Sequence, residues 1–435
     1  MPHNFNLAYW GIVMSDQKTV VYTAQVGIDW ANSKHDVCVQ QAGSDKREFD
    51  VVQHRVDAID AWVQGLQTRY GGAIAVAVEL SKGPIVSALQ KYDFIDIFPI
   101  NPSTLAKYRE AFQPSRAKDD PTDAELALDL LQRHSGRFTR LKPQSAQMRA
   151  LATLVEQRRR QVGERIRITN RLRCALKQYY PQALDWFDQI DTPLFCEFLK
   201  RWPTLAQAKC ARSNTLRTFF RNHHSYRESV IESRLKGIKS AHPLTLDDAI
   251  IVPYRIQTLV LVEQLGLMFK AIRQFDDEID KLASAHPDYG LFQSLPGAGP
   301  SLAPRLLVAF GEQRDRFTCA ADLQKYAGIA PVTERSGQKL WVHWRLQCPT
   351  FLRQTFIEWA AQTINKSYWA GEYYRQQKAK GCTHQAAVRS LAFKWIRILY
   401  RCWQTGVAYD ESRYLKALKR RGSPLLKKQA VLEYA

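Results

Sequence analysis

The first hundred residues alternate between short apolar runs and polar connections, a pattern that predicts an α/β layer. The predicted strands are QVGIDWA (25–31), HDVCVQQ (35–41), KREFDVV (46–52), AIAVAVEL (73–80) and FIDIFPI (94–100). The fourth run is almost continuously apolar, as expected of a central strand buried on both faces. Helical spacing predicts helices over 55–68, over 84–91 and from about 103. A meander of three strands followed by alternating helix and strand is an α/β arrangement.

The pattern changes after Pro143, where the strand signal disappears. Val155, Val162, Thr169 and Leu176 recur every seven residues, with Leu151, Leu154, Ile166 and Leu172 beside them, and residues 259–283 form a second long apolar helix. These two helices predict an antiparallel, coiled-coil-like pair with an insertion near 181–250 that has no clear pattern. We therefore divide the chain into an N-terminal extension (1–24), an α/β domain (25–142), a helical region (143–290) and a mainly helical C-terminal domain (291–435).

Charge narrows the class of partner. The chain has 435 residues and a formal net charge of +20, with a pI of about 9.6, which favours nucleic acid over a membrane surface. Its eight cysteines form no CxxC pair, so zinc-site spacing is missing and reduced thiols are expected. No uninterrupted apolar run reaches membrane-spanning length, and the N-terminus lacks the features of a signal peptide. A cytoplasmic location without membrane association is predicted.

Four acidic residues occur where strands end or a helix begins. Asp29 ends the first strand, Glu79 lies near the end of the fourth, and Asp120 and Asp123 precede an apolar helical run in AKDDPTDAELALDLL (117–131). An unpaired carboxylate at the end of a buried strand is costly unless it faces a cleft. Four carboxylates that converge on one sheet edge would supply the hard oxygen ligands of two Mg²⁺ ions, which catalyse phosphodiester chemistry.

A purely structural interpretation is also open. Thr122-x-x-Glu125 has the spacing of a capping box, and we assign that role to Thr122 and Glu125. Taken singly, Asp29 is typical of a turn and Glu79 of a paired surface acid. Their joint order along the chain favours metal binding.

Basic residues concentrate in QRRRQVGERIRITNRLRCALK (157–177). The predicted contacts to nucleic acid here are Arg158, Arg159, Arg160, Arg165, Arg167, Arg171, Arg173 and Lys177. Most basic helices are solvated faces, but this density of charge exceeds what solubility requires. A phosphate backbone is the natural partner.

Two short segments of the C-terminal part carry further candidate chemistry. In LPGAGPSLAPRLL, Gly297, Gly299 and Ser301 would let a phosphate approach backbone amides at a helix start; a glycine-rich helix start without a ligand is the alternative. In TERSGQK, Ser336 has the features of a plain Ser-Gly turn, which the residues alone favour. Arg335, Lys339 and Arg345 surround it in sequence.

Several segments resemble one family. VGIDWANSKHDVCV, VELSKG and AKDDPTDAELA resemble the ribonuclease-H-like domain of the DEDD-type transposases of bacterial insertion sequences, the IS110 family. Matched residue by residue, the family's four acids fall on Asp29, Glu79, Asp120 and Asp123. Asp119 and Pro121 stand where the family more often has threonines.

The resemblance continues in SLPGAGPSLAPRLLVAFGEQRDRFTCAADLQKYAGIAPVTERSG, which is similar to the family's C-terminal transposase segment with a helix-hairpin-helix-like start. It implies that Ser336 is a nucleophile that forms a phosphoserine link to DNA, and that the acids hold Mg²⁺, two ions per composite site. It also implies a bridge RNA that pairs with target and donor DNA, a dimer that assembles to a tetramer, and a nucleoid-associated cytoplasmic location. VHWRLQCPTFLRQT stands where family members commonly have a basic segment containing Gly-Asn.

Two other functions remain open from the residues. A metal-dependent, junction-resolvase-like nuclease would use the four acids without Ser336. A non-enzymatic nucleic-acid-binding protein would use the acids only as caps and salt-bridge partners.

Overall fold

The structure is a computed structural model that describes residues 20–112 and 120–426, and the side chain of Asp120 lies outside that description. It divides into two compact units, Met1–Pro143 and Gln144–Ala435. Most of the predicted N-terminal extension, and Asp119, lie outside the described residues. The chain is a mixed sheet with its helices, followed by a mostly helical body.

The first unit contains the predicted α/β layer. Its described elements are β1 (Tyr22–Trp30), β2 (Lys34–Gln41), β3 (Arg47–Gln53), α1 (Val56–Tyr70), β4 (Ala73–Val78), α2 (Pro84–Leu89), β5 (Ile95–Pro99), α3 (Pro102–Phe112) and α4 (Asp120–Arg133). The sheet order is β3-β2-β1-β4-β5. β1, β2 and β3 are antiparallel neighbours, whereas β4 runs parallel to β1 and β5 parallel to β4. All five predicted strands are confirmed.

Alternation along the strands gives the sheet two different faces. Val26 and Ile28 of β1 belong to one buried cluster together with residues of α1 and α2. The opposite face is lined by small residues, Gly27 among them, and is covered by α4. A Cβ atom at Gly27 would lie 2.0 Å from the carbonyl oxygen of Ala124 and 2.6 Å from the amide nitrogen of Leu128. The absence of a side chain at Gly27 therefore sets how closely α4 approaches the sheet.

The second unit is mainly helical. Its described helices are α5 (Ala146–Tyr179), α6 (Gln182–Asp185), α7 (Pro193–Arg201), α8 (Leu205–Cys210), α9 (Ser213–Asn222), α10 (Glu228–Ser240), α11 (Asp248–Ser284), α12 (Tyr289–Gln293), α13 (Gly299–Phe310), α14 (Ala320–Tyr326), α15 (Thr350–Thr363), α16 (Tyr368–Ala379), α17 (His384–Thr405) and α18 (Glu411–Arg420). Two strands, β6 (Val332–Ser336) and β7 (Lys339–His343), form a separate antiparallel hairpin.

The two long helices α5 and α11 pack as the predicted antiparallel pair. The start of α5 meets the end of α11, where Gln147 Nε2 donates to the carbonyl oxygen of Leu282 at 3.0 Å. At the other end, Leu176 of α5 shares a core cluster with Leu261 of α11. Ile166, predicted beside the apolar positions, is 51% exposed, so the buried stripe is narrower there than expected. A supercoiled arrangement stays a prediction.

The segment without a clear pattern, 181–250, folds into the helices α6 to α10. Its aromatic residues pack into one core cluster with residues of α5 and α11. In this cluster Phe198 lies 5.4 Å from Trp202 and 6.2 Å from Phe220, measured between ring centroids. Tertiary packing of aromatics, rather than a helical period, organises this segment.

The C-terminal part is mainly helical, as expected, but it also contains the β6–β7 hairpin, which the sequence did not predict. Val332, Thr333 and Val342 are β-branched and favour strands, and Gly337 takes the positive φ of +59° that the turn requires. Every residue of β7 is exposed, so the hairpin has no buried face to produce a strong alternating pattern.

One described helix, α11, has the length and apolar composition of a membrane-spanning segment, contrary to the expectation that no stretch would. Leu261, Val262 and Leu265 of α11 are fully buried against the neighbouring helices. Of the most apolar window of α11, 22% is buried in the structure.

We predict that Gly27→Ala destabilises the first unit by about 1–3 kcal/mol, the range typical of overpacking, because the new methyl group meets backbone atoms of α4 that cannot move independently. Gly65→Ala is the matched control. It adds the same atom to an exposed helical position with open space around it, and helix propensity favours it by up to about 1 kcal/mol. Urea unfolding of the full chain measures both; equal midpoints for the two variants would contradict the close approach.

Candidate active site

Asp29 and Glu79 lie side by side at the carboxyl end of two parallel strands. The register pairs Ile28 of β1 with Val78 of β4, so the next residue of each strand is an acid. By alternation, Asp29 follows Gly27 and Glu79 follows Ala77, and both of those small residues face α4. The two predicted ligands therefore share an edge of the sheet, where Glu79 is the first residue after β4.

Helix α4 runs antiparallel to β1 across that face. Arg47, which the register places level with the start of β1, donates to Glu125 Oε1 at 2.7 Å and to Asp129 Oδ1 at 2.9 Å. Gly27, further along β1, packs against Ala124, which lies earlier in α4. The first turn of α4, with its two acids, is therefore directed toward the strand ends that carry Asp29 and Glu79.

Asp123 is held by an arginine. Its carboxylate is 2% exposed, and Arg109 of α3 donates from Nε to Oδ1 at 2.6 Å and from Nη2 to Oδ2 at 2.7 Å. Within 20–112 and 120–426, no group of three or more His, Cys, Asp or Glu side chains is arranged to hold a metal ion. The predicted ligands share one edge but do not form an assembled metal centre while Arg109 occupies Asp123.

A fifth acid at this edge was missed from the sequence. Asp36 of β2 is the cross-strand partner of Asp29 and is 4% exposed. Lys34 Nζ lies 3.2 Å from Asp36 Oδ2. Cys38 contacts residues of α4, and Asp36, two positions earlier in HDVCV, lies on the same face of β2. A charged residue at an inward-facing strand position is the sequence feature that could have identified Asp36.

The capping-box assignment for Thr122 and Glu125 is not confirmed. Helix α4 already begins at Asp120, with Pro121 in its first turn, so Thr122 lies inside the helix. Glu125 points to β3, where its carboxylate pairs with Arg47 at 2.7 Å. Glu125 is therefore bound to the sheet through an ion pair.

The neighbouring Cys38 and His35 are uncharged at neutral pH. Burial, together with the charge of Glu125, raises the pKa of the Cys38 thiol to about 11. Burial and the adjacent His54 lower the pKa of His35 to about 4. Carboxylates and their arginine and lysine partners therefore set the charge at this sheet edge.

Ser336 stands at the tip of the β6–β7 hairpin. It is exposed, pairs across the turn with Lys339, and its hydroxyl has no hydrogen-bond partner among the described residues. Arg335 lies next to it and donates from Nε to the carbonyl oxygen of Gly337 at 3.3 Å, whereas Arg345 lies beyond the hairpin and is half-buried. The tip is accessible and basic, but it supplies no general base.

The basic helix α5 is partly neutralised by the protein itself, which the sequence argument did not anticipate. The paired residues are Arg158 with Asp276, Arg160 with Glu156, Arg165 with Asp191 and Arg167 with Glu164. Arg159, Arg171, Arg173 and Lys177 form no ion pair with a described residue. These four are the predicted phosphate contacts of α5 that remain without an ion pair to a described residue.

The two glycines of LPGAGPS have different roles. A Cβ atom at Gly297 would lie 3.0 Å from Cβ of Gln362 and 3.1 Å from its carbonyl carbon, so this glycine is needed for packing on α15. At Gly299 the same atom would have nothing within 4 Å. Only the Gly299 side of the turn is open to a ligand.

We predict that Arg109→Gln lowers the free energy of unfolding by about 3–5 kcal/mol, because it leaves the buried Asp123 carboxylate without its cation. Arg133→Gln is the control: it removes an exposed arginine from Asp129, which keeps Arg47 and Tyr108, and about 1 kcal/mol or less is expected. Urea unfolding in the presence of EDTA tests both. Similar midpoints for the two variants would show that the Arg109–Asp123 pair is not a buried one.

The sequence has clear relatives. Residues 26–181 match a family described as Transposase, of the DEDD type of IS110, and residues 289–375 match the family Transposase IS116/IS110/IS902. One relative is a Streptomyces coelicolor protein whose name describes it as the mini-circle transposase for IS117. It is 31% identical to this chain over 404 residues, which cover 90% of this chain and 96% of the relative. An uncharacterised 43.6 kDa protein of insertion element IS110, also from Streptomyces coelicolor, is 26% identical over 303 residues, 68% of this chain and 73% of the relative.

These matches cover both ends of the chain in one order, and the IS117 relative aligns across both units. Together with the carboxylates at the edge of the mixed sheet, they establish that the chain belongs to the IS110 family of transposases.

Proposed function

We propose that this transposase cuts and rejoins DNA with a magnesium site formed by Asp29, Glu79, Asp120 and Asp123 and with Ser336 as nucleophile. The observation that supports it best is that Asp29 and Glu79 follow the paired residues Ile28 and Val78 of two adjacent parallel strands. The proposal adds Asp123, from the first turn of α4, and Asp120, at the start of that helix. A DEDD-type domain suggests dependence on a divalent metal, and oxygen donors of this kind suit Mg²⁺.

The donor set fits the ion in chemistry, and in the proposal Asp123 changes its partner to complete the site. Asp123 would leave Arg109 to face the edge, and Asp36 would stay beside Asp29, paired with Lys34. Bound Mg²⁺ would stabilise negative charge on the reacting phosphate. Arg109, once released, would remain a cation close to the same phosphate.

Ser336 supplies the covalent step of the proposal. Its Oγ attacks a backbone phosphorus, the phosphorus–oxygen bond to one deoxyribose breaks, and that sugar oxygen takes up a proton as the serine loses one. The phosphoserine diester keeps the energy of the original bond, so attack by a second sugar hydroxyl rejoins DNA and returns the serine. The exposed hairpin tip, with Lys339 opposite, is suited to reach a DNA strand.

Ser336 has no hydrogen-bonded base among the described residues, and this supports assembly of the site from more than one chain. We propose, following the family resemblance, a dimer that assembles to a tetramer on target and donor DNA, with a bridge RNA pairing to both. The lack of a local base equally favours the alternative, a metal-dependent nuclease that does not use Ser336.

We predict that Ser336→Ala abolishes recombination, by at least about 10³-fold, and abolishes a covalent protein–DNA adduct on a nicked trapping substrate, because no other group replaces the nucleophile. DNA affinity should be unchanged. Ser240→Ala, an exposed serine of α10, is the control and should retain both activities. Two results would favour the nuclease without a serine nucleophile. One is an adduct that still forms with Ser336→Ala. The other is strand cleavage at the full rate by the unmodified chain without any adduct.

We predict that Asp29→Asn and Asp120→Asn each weaken Mg²⁺ binding by at least about 10-fold, the loss seen when even an outer partner of a metal ligand is removed. Arg109→Gln should strengthen Mg²⁺ binding, since it frees Asp123. Asp129→Asn, which removes a carboxylate from the middle of α4, is the control and should bind as the unmodified chain does. Isothermal titration calorimetry measures all four; equal affinity in every variant would favour a binding protein without a metal site.

A further inference from the structure

A cavity of about 470 Å³ lies within the second unit, between α5, α11, α13 and α15. It is separate from the acidic edge of the first unit and from the β6–β7 hairpin. Its charged lining residues are Arg158, Arg159, Arg160, Arg167 and Arg305, with Glu164, Asp276 and Glu358. Five arginines against three carboxylates leave this cavity with an excess of positive charge.

Arg305 of α13 is the least exposed of these arginines, at 9%. Its Nε donates to Thr355 Oγ1 at 3.2 Å, and its Nη1 donates to Glu358 Oε2 at 2.5 Å. Its Nη2 is buried and has no hydrogen-bond partner among the described residues. A buried guanidinium with an unused donor is costly, and an acceptor from outside the chain would satisfy it.

The surroundings of Arg305 add positive rather than negative charge. Burial lowers the pKa of Arg305; Glu358 opposes this, and the nearby Arg159 and Arg158 lower it further. Arg159 has no ion pair with a described residue, whereas Arg158 is bound to Asp276. Two cationic groups, Arg159 and Arg305, are therefore incompletely neutralised at one cavity.

The N-terminus of α13 opens onto the same place. Ser301, in the first turn of this twelve-residue helix, accepts a hydrogen bond from Arg158 Nη1 at 3.4 Å. Gly299 begins the helix and leaves open space where a side chain would be. Free amide groups and the helix dipole at such a terminus favour an anion.

We propose that this cavity binds a single phosphodiester of a nucleic-acid backbone, held by Arg305, Arg159 and the first turn of α13. The unused Nη2 of Arg305 would donate to one phosphate oxygen, and the open N-terminus of α13 admits a continuous strand. The inference rests on the nucleic-acid binding of the proposed function and is independent of the serine and magnesium chemistry.

The site also assigns a role to Glu358. Its carboxylate occupies Nη1 of Arg305 and so competes with an incoming phosphate for the same guanidinium. Glu358→Gln should therefore tighten nucleic-acid binding. A purely structural Arg305–Glu358 pair would instead lose stability without any gain in affinity.

The test measures affinity as a function of salt for a fluorescent DNA duplex and an RNA of equal length, with the full chain. Arg159→Gln and Arg305→Gln should each weaken binding about 10-fold and reduce the slope of log affinity against log salt by about 1, as expected for one lost phosphate contact. Glu358→Gln should change affinity in the opposite direction. Arg413→Gln, an exposed arginine of α18 outside the cavity, is the charge-matched control and should change neither quantity.

Three outcomes would overturn the proposal. The first is equal slopes for Arg159→Gln, Arg305→Gln and Arg413→Gln in a chain that still binds nucleic acid. The second outcome combines two results. Inorganic phosphate raises the melting temperature of the unmodified chain saturably, and Arg159→Gln removes this rise without changing the affinity for DNA or RNA. Such a result would indicate a site for free phosphate. The third is a Glu358→Gln variant that is less stable but no tighter in binding. Loss with only DNA or only RNA would identify which strand the cavity holds.

Discussion

The close contact between Gly27 and α4 is the constraint on which the site depends. Because β1 carries no side chain there, the backbone of α4 lies directly on the sheet, and its first turn is directed to the carboxyl ends of β1 and β4. Arg47 fixes the other end of the contact through Glu125 and Asp129. Acids that are far apart along the chain thereby share one edge, although each is locally unremarkable.

Much of the secondary structure of the first unit can be predicted from local sequence patterns. Which charged side chains pair with each other cannot. The runs 25–31 and 73–80 predict strands because burial on both faces leaves few polar positions. That Asp123 is bound by Arg109, and Glu125 by Arg47 rather than by the helix end, depends on which elements become neighbours in three dimensions. Asp36 was overlooked for the same reason, since its cross-strand position beside Asp29 appears only with the register.

The second unit shows the same division between local pattern and tertiary context. The seven-residue period correctly predicts that α5 and α11 pair, because the apolar stripe is visible in each helix. The β6–β7 hairpin was missed because its exposed strands lack a buried face. The ion pairs of α5 could not be predicted from the sequence, since four of its arginines pair with acids from α5 itself, from α11 and from the α6–α7 connection.

The central claim is that the acids of β1, β4 and α4 form one metal site once Arg109 releases Asp123. The most direct measurement is anomalous diffraction from crystals of the full chain soaked in Mn²⁺, an ion that substitutes for Mg²⁺ at oxygen ligands. The account predicts an anomalous peak between Asp29 and Glu79, with Asp123 turned from Arg109 toward the ion. A peak away from this edge, or none there while Arg109 still holds Asp123 at saturating Mn²⁺, would contradict it.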